Sequence, residues 1–93
     1  MREKQIEQKL VRAVRAAGGI APKFVSPGLD GVPDRIILRP GGRIAFAELK
    51  APGQKPRPLQ QYRIEELRQL GFRVYVIDSI GQIGGVMDEV SAT

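Results

Sequence analysis

Apolar positions along the chain change their period, and each change marks an element. From Arg2 to Ala17 the residues Ile6, Leu10, Val11, Val14 and Ala17 recur at helical spacing, and Gly18-Gly19 supplies the stop. Ile20 to Val25 reads as a short strand, and Pro22 within it suits an edge position. Ser26-Pro27-Gly28 and Asp30-Gly31 mark a loop that ends at Pro33. Asp34 to Arg39 carries Ile36, Ile37 and Leu38 in a β-prone run, Pro40-Gly41-Gly42 turns the chain, and Arg43 to Lys50 is a second apolar run. Together these predict a hairpin.

Ala51 to Pro58 has Pro, Gly and basic residues without an apolar period, which predicts an exposed loop. A second helix is expected from about Pro58 to Leu70, with Leu59 near its start, Ile64, Leu67 and Leu70 on one inward stripe, and Gly71 as its end signal. Phe72 to Asp78 reads as a strand, and a strand reached through a crossover helix pairs in parallel. From Ser79 to Thr93, Ile83, Val86, Met87 and Val90 allow a weak helix, against which Gly81, Gly84 and Gly85 argue. The predicted order is α-β-β-β-α-β, a small α/β layer structure with a mixed central sheet and a weak C-terminal helix or tail.

Composition narrows the chemistry. With 93 residues and 42% hydrophobic content, the chain is expected to form one compact domain with a limited core, a size that often gains stability by dimerising. No apolar run approaches the length of a membrane span, and Met1 to Leu10 is charged rather than signal-like, so a soluble cytoplasmic protein is expected. The absence of cysteine and histidine removes disulfides, thiolate and imidazole chemistry and the common zinc sites. Any metal must be held by oxygen. The formal net charge of +5, spread along the chain, fits a polyanionic partner, although charge alone does not identify one.

Candidate chemistry lies in the hairpin. Side chains alternate along a strand, so Ile44, Phe46, Glu48 and Lys50 share one face while Ala45, Ala47 and Leu49 share the other. Glu48 and Lys50 thus end a strand that is apolar on both faces; taken alone, they read most simply as an ion pair at a fraying end. The preceding strand changes that balance. A hairpin turning at residues 40–42 pairs positions whose numbers sum to about 82 or 83, which brings Asp34 opposite Glu48 or Leu49. Two converging carboxylates repel unless a hard cation separates them, and oxygen-only ligation favours Mg2+ or Mn2+. A third carboxylate is available from Glu7, or one turn earlier from Glu3, at the edge of the first apolar stripe, where most glutamates merely flank a core. Gln60 shares a helical face with Ile64 and Leu67 and is either a site residue, a cap or a buried linker. The basic loop at Lys55-Pro56-Arg57, with Lys23, Arg35 and Arg39, supplies candidate phosphate contacts, or in the loop's case only a solvated turn.

The pattern Gly31-Val32-Pro33-Asp34-Arg35, then Glu48-Leu49-Lys50, then Gln60 before Leu67 and Gly71, resembles the VRR-NUC family of the PD-(D/E)XK nuclease superfamily. The resemblance runs from Glu7 to about Asp78 and is strongest to the short stand-alone members of bacteriophages and bacteria. It implies a restriction-endonuclease-like core, Asp34 and Glu48 as metal ligands with the Leu49 backbone carbonyl as a possible third, and Lys50 positioning or activating the attacking water. It also implies Glu7 as the helix-borne acid and Gln60 as a supporting residue. A metal-dependent DNA endonuclease, homodimeric and acting on branched DNA such as Holliday junctions, follows as the expected function. With no histidine, the general base is a carboxylate, a lysine of altered pKa or a substrate phosphate.

Overall fold

The structure, a computed structural model, describes residues 2–91. Helix α1 (Glu3–Ala16) precedes a hairpin of β1 (Arg35–Arg39) and β2 (Arg43–Leu49). Helix α2 (Pro58–Gln69) then crosses to β3 (Arg73–Ile77), and a 3-10 turn at Ile80–Gln82 opens helix α3 (Ile83–Ser91). The sheet order is β1-β2-β3, with β2 antiparallel to β1 and parallel to β3. The expected mixed α/β architecture is borne out.

The central strand explains the layering. Ala45, Ala47 and Leu49 face a core built with Ile6, Leu10 and Val14 of α1 and Ile83, Val86 and Val90 of α3. Two alanines in the middle of the strand leave room for both helices to approach the same sheet face, as dense packing requires. On the opposite face Phe46 meets Ile64 of α2 and Val74, with Phe24, Ile36, Leu67 and Val76 around them. The alternation predicted for residues 44–50 therefore sorts the chain into its two cores.

Three expectations need correction in detail. Residues 20–25 do not form a continuous strand. Ile20 and Leu38 exchange hydrogen bonds of 3.0 and 2.9 Å, the Ile36 amide donates to the Pro22 carbonyl at 3.0 Å, and Phe24 donates to the Asp34 carbonyl at 2.9 Å. Pro22 has no N–H to return, so the ladder is reduced to isolated bridges at Ile20–Leu38 and Lys23–Arg35. Leu70 does not join the inward stripe: α2 ends at Gln69, and Leu70 is 69% exposed.

The C-terminal segment, expected to be marginal, is a helix whose Ile83, Val86 and Val90 are buried. Burial of that stripe outweighs the low helix propensity of Gly84 and Gly85, both of which face open space. The last two positions of the predicted tail, Ala92 and Thr93, lie outside the described residues.

All three helical openings use the same device. Gln5, Gln60 and Gln82 fold back to accept from the amides of Arg2, Arg57 and Ser79 at 2.9, 2.9 and 3.0 Å. Each thereby satisfies a backbone donor left without a partner inside the helix.

Two glycine substitutions should move stability in opposite directions. Gly85→Ala adds a methyl group in open space and should stabilise by about 0.5–1 kcal/mol. At Gly19 a Cβ would stand 2.1 Å from the Leu38 carbonyl oxygen, so Gly19→Ala must break the edge pairing. It should cost roughly 2–3 kcal/mol. Urea denaturation of both variants reads the two signs directly.

Candidate active site

The hairpin register places the chemistry. Arg35 lies opposite Ala47 and Arg39 opposite Arg43, so paired numbers sum to 82, as expected from the turn. Continued beyond β1, the same register puts Asp34 opposite Glu48 and Pro33 opposite Leu49. The Asp34 side chain bends across to accept the Leu49 amide at 2.9 Å. It occupies the role that a strand carbonyl would otherwise fill. Pro33, fully buried, has no N–H, so the Leu49 carbonyl receives no ladder hydrogen bond from that position.

Among the described residues, Glu48 is the buried charged one, at 1% exposure. Neither of its carboxylate oxygens accepts a well-aligned hydrogen bond among the described residues; the Asp34 amide and the Lys50 ammonium are the donors that approach it. The Lys50 ammonium stands 3.3 Å from Oε2, close enough for an ion pair though not aligned as a hydrogen bond. Burial pushes the Glu48 carboxyl from the usual 4.5 up to about 7; the nearby Asp34 charge adds to the rise and Lys50 opposes it. Buried oxygens without a well-aligned donor, a second carboxylate beside them and a backbone carbonyl make an all-oxygen set that fits a hard divalent cation. The same set fits no soft metal, since the sequence offers no sulfur or imidazole ligand.

The remaining candidates are distributed around this pair. Glu7 and Asp34 line one open groove of about 340 Å3 together with Glu3, Lys23, Phe24 and Val25. The Glu7 carboxylate is held by Arg35 Nε at 2.9 Å, and among the described residues no third acidic group completes a metal-binding cluster with Asp34 and Glu48. Gln60 is the cap of α2 rather than a group bonded to the carboxylates. Of the basic candidates, Lys23, Lys55 and Arg57 are exposed. Arg35 is tied to Glu7 and donates to the Ala21 carbonyl at 2.8 Å, and Arg39 donates to the Met87 carbonyl at 2.9 Å. Sequence reasoning did not anticipate these two structural roles, and it passed over Pro33, although the register that brought Asp34 to Glu48 also set proline against Leu49.

The raised Glu48 pKa has a stability consequence with a definite sign. The folded state holds the proton more tightly than the unfolded chain, so the contribution of Glu48 is fully present below pH 4.5 and is lost as pH rises through about 7. Without divalent ions, the stability of the native protein relative to Glu48→Gln should fall across that window, by on the order of 3 kcal/mol. Denaturant titrations of both proteins at several pH values check this; parallel profiles would contradict it.

Comparison with known proteins agrees with the geometry. The model of the VRR-NUC domain matches residues 2–80. The chain is 54% identical over 79 residues to a protein of Acyrthosiphon pisum secondary endosymbiont phage 1 named "Putative nuclease p44", covering 85% of each chain. A solved structure described as a VRR-NUC domain superposes with a TM-score of 0.86 at 30% identity, covering 92% of this chain and 94% of that one. The matched span runs from α1 through β3 and contains the hairpin that joins Asp34 to Glu48, and the chain belongs to the VRR-NUC domain family.

Proposed function

We propose that this protein is a divalent-metal-dependent nuclease that hydrolyses DNA phosphodiester bonds, with branched DNA such as a Holliday junction as its preferred substrate. The observation that carries this reading is the Glu48 carboxylate, buried at the end of β2 with neither oxygen in a well-aligned hydrogen bond and with Asp34 opposite. A purely structural strand end has no reason to retain such a group, because an apolar residue there would avoid the desolvation cost. Asp34, Glu48 and the Leu49 carbonyl would hold Mg2+ or Mn2+. When bound, the cation supplies Lewis acidity toward a phosphodiester oxygen and lowers the pKa of water.

The chain's own residues supply the rest. Lys50, partly exposed at 17% of its side chain, stabilises negative charge developing on the attacked phosphate. Glu7 faces the groove beside Asp34 as the helix-borne acid, and Gln60 supports the site indirectly by fixing the start of α2. Lys23, Lys55 and Arg57 contact the DNA backbone, where duplex binding draws most of its affinity. Preference for branched DNA and a homodimeric assembly rest on the family resemblance; two active sites about a two-fold axis suit a symmetric junction. No described helix is long and apolar enough to cross a membrane, and activity in the cytoplasm of a bacterial or phage-infected cell accords with the phage relative.

The test is cleavage of labelled four-way-junction DNA and matched linear duplex, with and without Mg2+ or Mn2+, alongside binding by gel shift. The native protein should cut the junction only with metal. Glu48→Gln and Lys50→Ala should each lose at least about a hundredfold in rate while retaining binding. Binding of the junction without cleavage under either metal would instead identify a catalytically silent DNA-binding module.

A further inference from the structure

The loop that delivers Asp34 is gripped by α2 at two consecutive residues. At Gly31 the chain adopts a φ of +81°, and a Cβ there would stand 2.9 Å from Leu59 Cγ and 3.0 Å from the Leu59 carbonyl oxygen. Only glycine permits both the backbone conformation and this approach to the first turn of α2. One turn later along the same helix, Arg63 Nε donates to the Asp30 carbonyl at 2.9 Å. The Arg63 side chain is only 12% exposed, its Nη1 pairs with Glu66 at 2.7 Å, and its guanidinium lies 5.5 Å from the centre of the Tyr62 ring. These contacts orient the guanidinium before it meets the loop.

Asp30 is itself an exposed residue, so its carbonyl could be satisfied by water without any help from α2. A guanidinium that is largely removed from solvent and committed to that carbonyl fixes the position of the chain instead. Three residues separate Asp30 from Asp34, and the buried Pro33 stiffens the last step between them. The next fixed point is the Leu49 amide, held by the Asp34 carboxylate.

We propose that Arg63 is a positioning residue: through the Asp30 carbonyl it holds the loop so that the Asp34 carboxylate stays on the Leu49 amide, facing Glu48. It touches neither substrate nor metal. The inference rests on the reading of Asp34 as a site carboxylate for its functional meaning, but its test does not depend on cleavage.

The Leu49 amide reports directly on Asp34, so backbone hydrogen exchange of the full chain, measured by NMR without divalent ions, reads the coupling. In Arg63→Met, which keeps the packing and removes the donor, the Leu49 amide should exchange about tenfold faster, as expected for losing one net hydrogen bond. The Ala47 and Tyr75 amides, bonded into the sheet, should keep their native rates. Arg63→Lys, which restores a donor toward Asp30, should return Leu49 to within about threefold of the native rate. Unchanged exchange at Leu49 in Arg63→Met overturns the proposal, as does an equal rise at Leu49, Ala47 and Tyr75, which marks a merely structural role. Should Arg63→Met not fold, Glu66→Gln, altered at a side chain 41% exposed, reads the same amide. A selective rise of about threefold there supports the proposal, and no rise overturns it. If the native protein cuts no DNA yet Leu49 responds selectively, the nuclease reading fails and the positioning role stands.

Discussion

A carboxyl group withdrawn from water has to be protonated, paired or bound to a cation, and Glu48 leaves little choice among these. Its oxygens have no well-aligned hydrogen bond among the described residues, and the nearby cation Lys50 is itself partly open to solvent. The ion pair lowers the Glu48 pKa, yet burial and the Asp34 charge prevail and leave it near neutrality. A single flexible ammonium does not compensate for a site that contains two carboxylates. The imbalance is tolerable because it is confined to the end of a strand whose Ala45, Phe46 and Ala47 are packed on both faces.

The position of that imbalance follows from the fold. β2 is central, so its side chains are covered by α1 and α3 on one face and by α2 on the other. At the C-terminal end of β2 full burial stops after Leu49, and Lys50 is partly exposed. Strand alternation fixes Glu48 and Lys50 on the α2 side, and the short turn at residues 40–42 fixes what lies across from them. Pro33 and Asp34 then act as complementary halves of one device. The proline withholds a donor from the Leu49 carbonyl, while the aspartate supplies an acceptor to the Leu49 amide, so the ladder ends in side-chain chemistry rather than in another backbone pair.

Much of this was legible in the sequence because it depends on local rules. The period of two in residues 43–50, the turn at Pro40 to Gly42 and the helical stripe of Ile6, Leu10 and Val14 each state their structure within a few residues. What escaped was decided by partners distant in the chain. The strength of α3 is hidden by its glycines and comes from Val86 and Val90 reaching the α1 core. The failure of residues 20–25 to become a strand turns on one missing N–H at Pro22, readable as an edge signal but not as a broken ladder. Gln60 was visible as an inward polar residue; that its amide closes the start of α2 required knowing where the helix begins.

Charge shows the same division between what composition states and what placement decides. The excess of basic residues counts every arginine alike, but Arg35 neutralises Glu7 and braces Ala21, and Arg39 reaches across to the Met87 carbonyl of α3. Such cations stabilise the fold and contribute only weakly to the field a polyanion meets, because their charge is paired or turned inward. Three of the exposed cations are better placed. Lys23 shares the groove of Asp34, Arg57 shares one with Asp30 and Gly31, and Lys55 borders Val76, the register partner of Glu48. Two different segments therefore bring solvent-facing positive charge toward the carboxylate pair, which under the proposed function would let a phosphate backbone approach a site whose own acidic groups would otherwise repel it.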